Sequence, residues 1–169
     1  CVAKCRLGPS SVDKLAEYVR EAKAAIARLT LSGIKITGTK YDGGWKYDVD
    51  LSGFISLCEV LPVLKNPIHL DVTNCGLSVN GVNELAKAMA AGAALTSINC
   101  LMNPIGEDGL ATLVAAVKDS SVRSICGLVE GQTIADFSKQ NLKPIDCKII
   151  AAEFGFHGFI AAVARLILN

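Results

Sequence analysis

The sequence predicts an α/β solenoid, a right-handed horseshoe segment of five to six units with parallel strands on the concave side and helices on the convex side. Three observations lead there: short apolar strand patterns that recur every 27 to 28 residues, an amphipathic helical segment in each interval, and an aliphatic composition. Of 169 residues, 51% are hydrophobic and only 5% aromatic, so the core has to be built from Leu, Ile, Val and Ala. That much apolar material excludes a disordered chain. A formal charge of +1 leaves no whole-chain field to hold nucleic acid or an anionic membrane.

The elements follow in order. A helix is expected over about 12–26, with Glu17, Arg20 and Lys23 on a solvated face. IARLTLSGIKI at 26–36 places Ile26, Leu29, Leu31 and Ile36 in a strand-and-turn pattern, L-x-x-L-x-L-x-x-N/C-x-L. PIHLDVTNCGL at 67–77 repeats it with Leu70, Val72, Cys75 and Leu77, and LTSINCLMNPI at 95–105 with Leu95, Ile98, Cys100, Asn103 and Ile105. Between these, residues 81–95 carry Val82, Leu85, Ala86 and Met89 at helical spacing, and residues 109–117 carry Leu110, Leu113, Val114 and Val117. Further copies begin at VRSICGL (122–128), QTIADFSKQNL (132–142) and VARLIL (163–168), the last after a helix over about 146–163. Alternate strand residues point inward and are Leu, Ile, Val or Cys. His69, Asp71, Ser97, Asn99, Leu101, Ser124 and Cys126 fall at the outward positions. Asn103 lies just past its strand, where both ends of an amide can bond the turning backbone, and Cys75 and Gln140 stand in its place in other copies.

On these residues the chain resembles the leucine-rich repeat family, in its ribonuclease-inhibitor-like class, most specifically in LTSINCLMNPIGEDGLATLVAAV and PIHLDVTNCGLSVNGVNELAKAM. SICGLVEGQTIADFSKQNLKPID at 124–146 is similar to segments of long repeat arrays of protists and algae and of NOD-like-receptor type. The resemblance implies noncatalytic protein binding, a scaffold or accessory role in a larger assembly, and a protein partner. It also raises Ran-type GTPase activation as an alternative, although the rim loops 37–40, 76–79 and 104–107 hold no Arg to stabilise phosphoryl charge.

A longer period relates AAIARLTL at 24–31 to AAVARLIL at 161–168. The expectation is therefore a single array over 1–169, cut from a longer chain, whose open ends pack against a neighbouring segment or subunit. Two departures from the repeat are the candidate partner-binding sites. TGTKYDGGWKYDVD at 37–50 stretches one interval and carries Tyr41, Trp45 and Tyr47, three of the nine aromatics, as anchors on a docking element outside the repeat. The other reading of the same residues is that Trp45 folds back to plug the groove. In the last helix, Phe154, His157 and Ile160 stand where the first helix has Glu17, Arg20 and Lys23, with Phe156 and Phe159 between, so that an apolar face awaits a partner; the other reading is that these phenylalanines fill a wider core left by the short 122–132 unit.

No catalytic, cofactor or metal residues are expected. The sequence has only His69 and His157 as histidines and contains no G-x-S-x-G, Walker or H-E-x-x-H motif. Asp42, Asp48 and Asp50 lack the spacing of a calcium loop. The seven cysteines are odd in number, form no C-x-x-C and sit partly in apolar runs, as buried thiols in a reducing intracellular compartment would, cytoplasmic or organellar. The apolar run 149–164 is broken by Glu153 and His157 and is too short to span a bilayer, so no membrane insertion is expected.

Overall fold

The computed structural model describes residues 7–21, 26–156 and 162–168. In chain order they form α1 (Pro9–Glu21), β1 (Arg28–Thr30), β2 (Lys40–Tyr41), β3 (Trp45–Lys46), α2 (Ser52–Val60) with a 3-10 turn at Leu61–Val63, and β4 (Ile68–Asp71). There follow α3 (Val79–Ala90), β5 (Leu95–Asn99), α4 (Gly106–Lys118), β6 (Ile134–Asp136), α5 (Pro144–Glu153) and β7 (Arg165–Ile167). β1, β4 and β5 make a parallel three-stranded sheet in that order, with Leu29 beside Leu70 and Leu70 beside Ile98.

Periodicity explains which face of each element is buried. Val12, Ala16 and Val19 recur at helical spacing in α1 and Val82, Leu85 and Met89 in α3, and all are buried. In β4, Ile68 and Leu70 are buried while His69 and Asp71 are half-exposed, the two-residue alternation of a strand. The two faces meet in one aliphatic layer that also holds Phe54. Each fully buried Leu, Ile or Phe contributes about 1.5–3 kcal/mol of transfer free energy. α1 lies against α2 at backbone contact: a Cβ on Gly53 would stand 1.9 Å from the Pro9 carbonyl oxygen, so no other residue fits there.

Asn103 ties neighbouring turns together as its residue type suggests. Its Oδ1 accepts from the Cys75 and Leu77 N–H groups at 2.9 and 3.1 Å, and its Nδ2 donates to the Val72 and Cys100 carbonyls at 2.8 and 3.0 Å. The Cys75 thiol donates to the Leu31 carbonyl at 3.0 Å, one chain pass earlier. Gln140, in contrast, is half-exposed and reaches only the Asp136 carbonyl at 3.4 Å.

The expected solenoid is not what the chain forms. Its few short strands divide among three small sheets: β1-β4-β5, an antiparallel β2-β3 hairpin, and a parallel β6-β7 pair. The break falls at 122–128, where the sequence suggests a further strand. There the chain still hydrogen-bonds to β5, the Arg123 N–H to the Thr96 carbonyl at 2.9 Å and the Ile98 N–H to the Ser124 carbonyl at 2.8 Å, but Ser124 and Cys126 bridge Ser97 and Asn99 as isolated pairs and form no strand. The physical cause is Glu153, wholly buried at the end of α5. Its carboxylate accepts the Ile125 and Cys126 N–H groups, both at 2.8 Å, and the Ser124 hydroxyl at 2.6 Å. Those two N–H groups are thereby withheld from any further strand, and β6 starts a separate sheet. Four expected outward residues of this region, Ser97, Leu101, Ser124 and Cys126, are buried instead, the Ser97 hydroxyl donating to the Leu128 carbonyl at 3.3 Å and Ser124 and Cys126 bonded to Glu153.

The last helix also ends early, at Glu153, with residues 154–156 turning away. The strand expected at 163–168 pairs on one side with β6, Ala135 beside Leu166. Among the described residues, no helix is long and apolar enough to cross a membrane.

Candidate partner-binding site

The aromatic segment is a short ribbon. Lys40 and Tyr41 pair with Lys46 and Trp45, joined by Asp42-Gly43-Gly44, where Gly43 supplies a left-handed backbone with φ of 63°. Directly opposed residues share a face, and so do residues two apart on one strand. Tyr41 is opposite Trp45 and Tyr47 is two residues on, so all three rings gather on one side. The Tyr41 and Trp45 centroids are 5.6 Å apart, edge to face, and those of Trp45 and Tyr47 are 6.4 Å apart with planes 16° from parallel. The Lys35 ammonium sits 5.5 Å from the Trp45 ring centre. Tyr41 and Trp45 remain 69% and 56% exposed, which rules out Trp45 as a plug, while Tyr47 is half-buried.

The tip is outside the core and the two ends are built into it, so the expectation of an element lying outside the rest of the fold holds only for the tip. On the entering side Thr37 and Thr39 are buried with their hydroxyls 2.8 Å apart, and the Thr37 hydroxyl donates to the Gly76 carbonyl at 2.9 Å. A Cβ on Gly76 would stand 2.0 Å from the Thr39 hydroxyl oxygen, and its φ is 79°, so glycine is required on both counts. On the leaving side the Asp48 carboxylate accepts the Ser78 N–H at 3.2 Å, the Ser78 hydroxyl, and the Gly81 N–H at 2.9 Å. It therefore caps the N-terminus of α3 from 30 residues away in sequence, with a favourable charge for that end of the helix dipole. Two residues on, Asp50 accepts the Ser52 hydroxyl and N–H at 2.6 and 3.0 Å at the start of α2. Those bonds, the hydroxyl's first, hold the Asp50 carboxyl below its ordinary range.

Beside the rings runs a groove over the carboxyl ends of the parallel strands. Lys35 and Thr39 come from the chain after β1, Asn74 and Gly76 from that after β4, Met102 and Pro104 from that after β5, and Lys143 from the approach to α5. Such ends are where open α/β sheets bind ligands. Asn74 and Met102 hold left-handed backbones, φ of 52° and 62°. For Met this costs about 1–2 kcal/mol. The Asp146 carboxylate, buried on α5, offsets it by accepting the Met102 N–H at 2.6 Å and the Lys143 N–H at 2.8 Å.

The second expected site is not assembled in the same way. Phe154 is 44% exposed at the end of α5, and Phe156 is half-buried against the core. Phe159 and Ile160 lie outside the described residues. Elsewhere, His69 stands between Arg28 and Ser97 in the sheet, its imidazole pushed below its ordinary value by burial first and by the Arg28 charge second. Its Nδ1 has no hydrogen-bond partner. Among the described residues no three of His, Cys, Asp or Glu converge as metal ligands.

Lys35, Thr39, Met102 and Lys143 were invisible as site residues in the sequence, because three chain passes far apart in number deliver them. The one local signal was Asp48: an acidic residue near Ser78 could have been read as a cap only with the hairpin's path in hand. Compared with known proteins, the chain matches no family model and no curated protein.

Proposed function

We propose that this chain is a noncatalytic protein-interaction module, a scaffold or accessory part of a larger assembly, and that it docks its partner with Tyr41, Trp45 and Tyr47 and the adjoining groove. The observation behind this reading is the combination of exposed rings with buried anchors. A surface that leaves Trp45 56% exposed while fixing its ribbon through Thr37, Thr39 and Asp48 offers large contact area whose ordering cost has been met in folding. A thiol-rich chain also fits a reducing compartment: Cys58, Cys75, Cys100 and Cys126 are buried and Cys147 exposed, all five as free thiols.

The experiment is selection of binders from a displayed library of random peptides on the purified chain. Selected peptides should shift the emission of Trp45, the single tryptophan, and lose binding to the Tyr41→Ala, Trp45→Ala double variant, whose circular dichroism should match that of the parent. Binders indifferent to that variant would place docking elsewhere.

A further inference from the structure

The groove's charge narrows the class of partner. Two of its lining side chains, Lys35 and Lys143, are cationic and none is acidic. Among the described residues, the ion pairs engage Lys46, Lys87 and Lys148 and neither of these two. The contact of Lys35 with the Trp45 ring holds the ammonium in place without using its three N–H donors. Between the lysines, Trp45, Met102 and Pro104 supply apolar wall. A bare cationic pair flanking an apolar floor is complementary to carboxylates flanking an apolar side chain.

We propose that the groove takes an acidic, extended segment of a partner protein, with carboxylates on Lys35 and Lys143 and an apolar side chain against Trp45 and Met102; this rests on the docking reading above. The segment crosses the strand ends in an extended form, with its carboxylates at the two lysines and its apolar side chain between them. Nucleic acid fits less well. It carries a charge on every nucleotide and calls for a continuous basic track, whereas this groove has two lysines, no arginine, and the carboxylates of Asp42 and Asp50 nearby on the same segment.

The same displayed library gives the test when the enriched pool is sequenced for charge and bound at low and high salt. The expected pool is acidic and apolar, binds the parent at least tenfold more tightly than charge-inverted copies do, and weakens as salt is raised. Lys35→Glu with Lys143→Glu should cut its affinity roughly tenfold and select a neutral or basic pool instead, with both exposed-face changes leaving thermal unfolding unchanged. A pool that needs Trp45 but is neutral or basic, or is untouched by the double reversal, overturns the acidic assignment and leaves the docking reading standing. Oligothymidine binding more tightly than the acidic pool also overturns it. No enriched pool, or one indifferent to Trp45, removes both.

Discussion

Replacing Asp48 by Ala tests how the binding surface is joined to the core. The carboxylate serves two N–H groups and one hydroxyl of the Ser78–Gly81 segment, and the residue holds a φ of 51°. Hydrogen bonds to charged groups are worth about 1.5–3 kcal/mol each when buried, but Asp48 is half-exposed, and caps removed in comparable settings cost about 0.5–2 kcal/mol. Alanine adds about 1 kcal/mol for a left-handed backbone that Asp tolerates better. The expected loss is about 1.5–3 kcal/mol. With a urea slope of about 2 kcal/mol/M, the unfolding midpoint should fall by roughly 0.8–1.5 M. Asp48→Asn, which keeps an acceptor oxygen and the backbone preference, should lose only about 1 kcal/mol. Urea titrations followed by circular dichroism give the stability, and Trp45 fluorescence anisotropy in native buffer gives the mobility of the ribbon. Anisotropy should drop in the Ala variant before any unfolding. A midpoint within about 0.3 M of the parent with unchanged anisotropy would refute the anchoring argument.

Other expectations follow from single contacts. Asn103→Ala strands buried donors and acceptors on two turns and should cost about 3–5 kcal/mol in urea titrations, with Asn103→Asp little better because a carboxylate cannot donate to the Val72 and Cys100 carbonyls. Glu153→Ala leaves the Ile125 and Cys126 N–H groups bare in the interior, about 3–5 kcal/mol, while Glu153→Gln can still accept from them and should cost less than half as much; equal losses would show that Glu153 acts only by packing. Burial pushes the Cys58 and Cys75 thiols up to about 12 and those of Cys100 and Cys126 further still. Under a thiol reagent at neutral pH, Cys147 should therefore label at once and these four only on unfolding, as mass mapping would show. Asp50 and Asp136 have carboxyls held below the ordinary 3.8 by serine hydroxyls and N–H groups, so their contribution to stability is complete above about pH 4 and is lost as pH falls through the lowered values. Asp50→Asn should therefore lower stability on the neutral side, leave it almost unchanged at the acid limit where Asp50 is already protonated, and so flatten the profile between them.

Much of the local structure was legible because it follows from periodicity. The strands at 28–30, 68–71 and 95–99, the helices α3 and α4, and the interior placement of Cys100 and Leu113 depend on residues near one another in sequence, and the residue type of Asn103 announced its two-ended role although its partners Val72, Cys75 and Leu77 lie on the preceding turn. The extension of that pattern into a continuous solenoid failed at 122–128. The residues there match the spacing, but a carboxylate 28 positions away takes the N–H groups that a next strand would have used. No pattern of apolar positions can announce that Glu153 points inward. The binding surface divides in the same way. Tyr41, Trp45 and Tyr47 stood out by composition, whereas Lys35 and Met102 became neighbours only through the parallel order of the strands, and Lys143 joins them through the Asp146 carboxylate that binds the Met102 and Lys143 N–H groups.

In the proposed docking mode a partner lies across the ribbon and the strand ends beside it. Hydrogen exchange measured on the whole chain, alone and saturated with the peptide pool selected on it, reports this directly. Protection should rise at 35–47, 74–76 and 102–104 and stay unchanged over α1 and α4. Protection confined to the helices, with residues 35–47 exchanging as in the free protein, would contradict it.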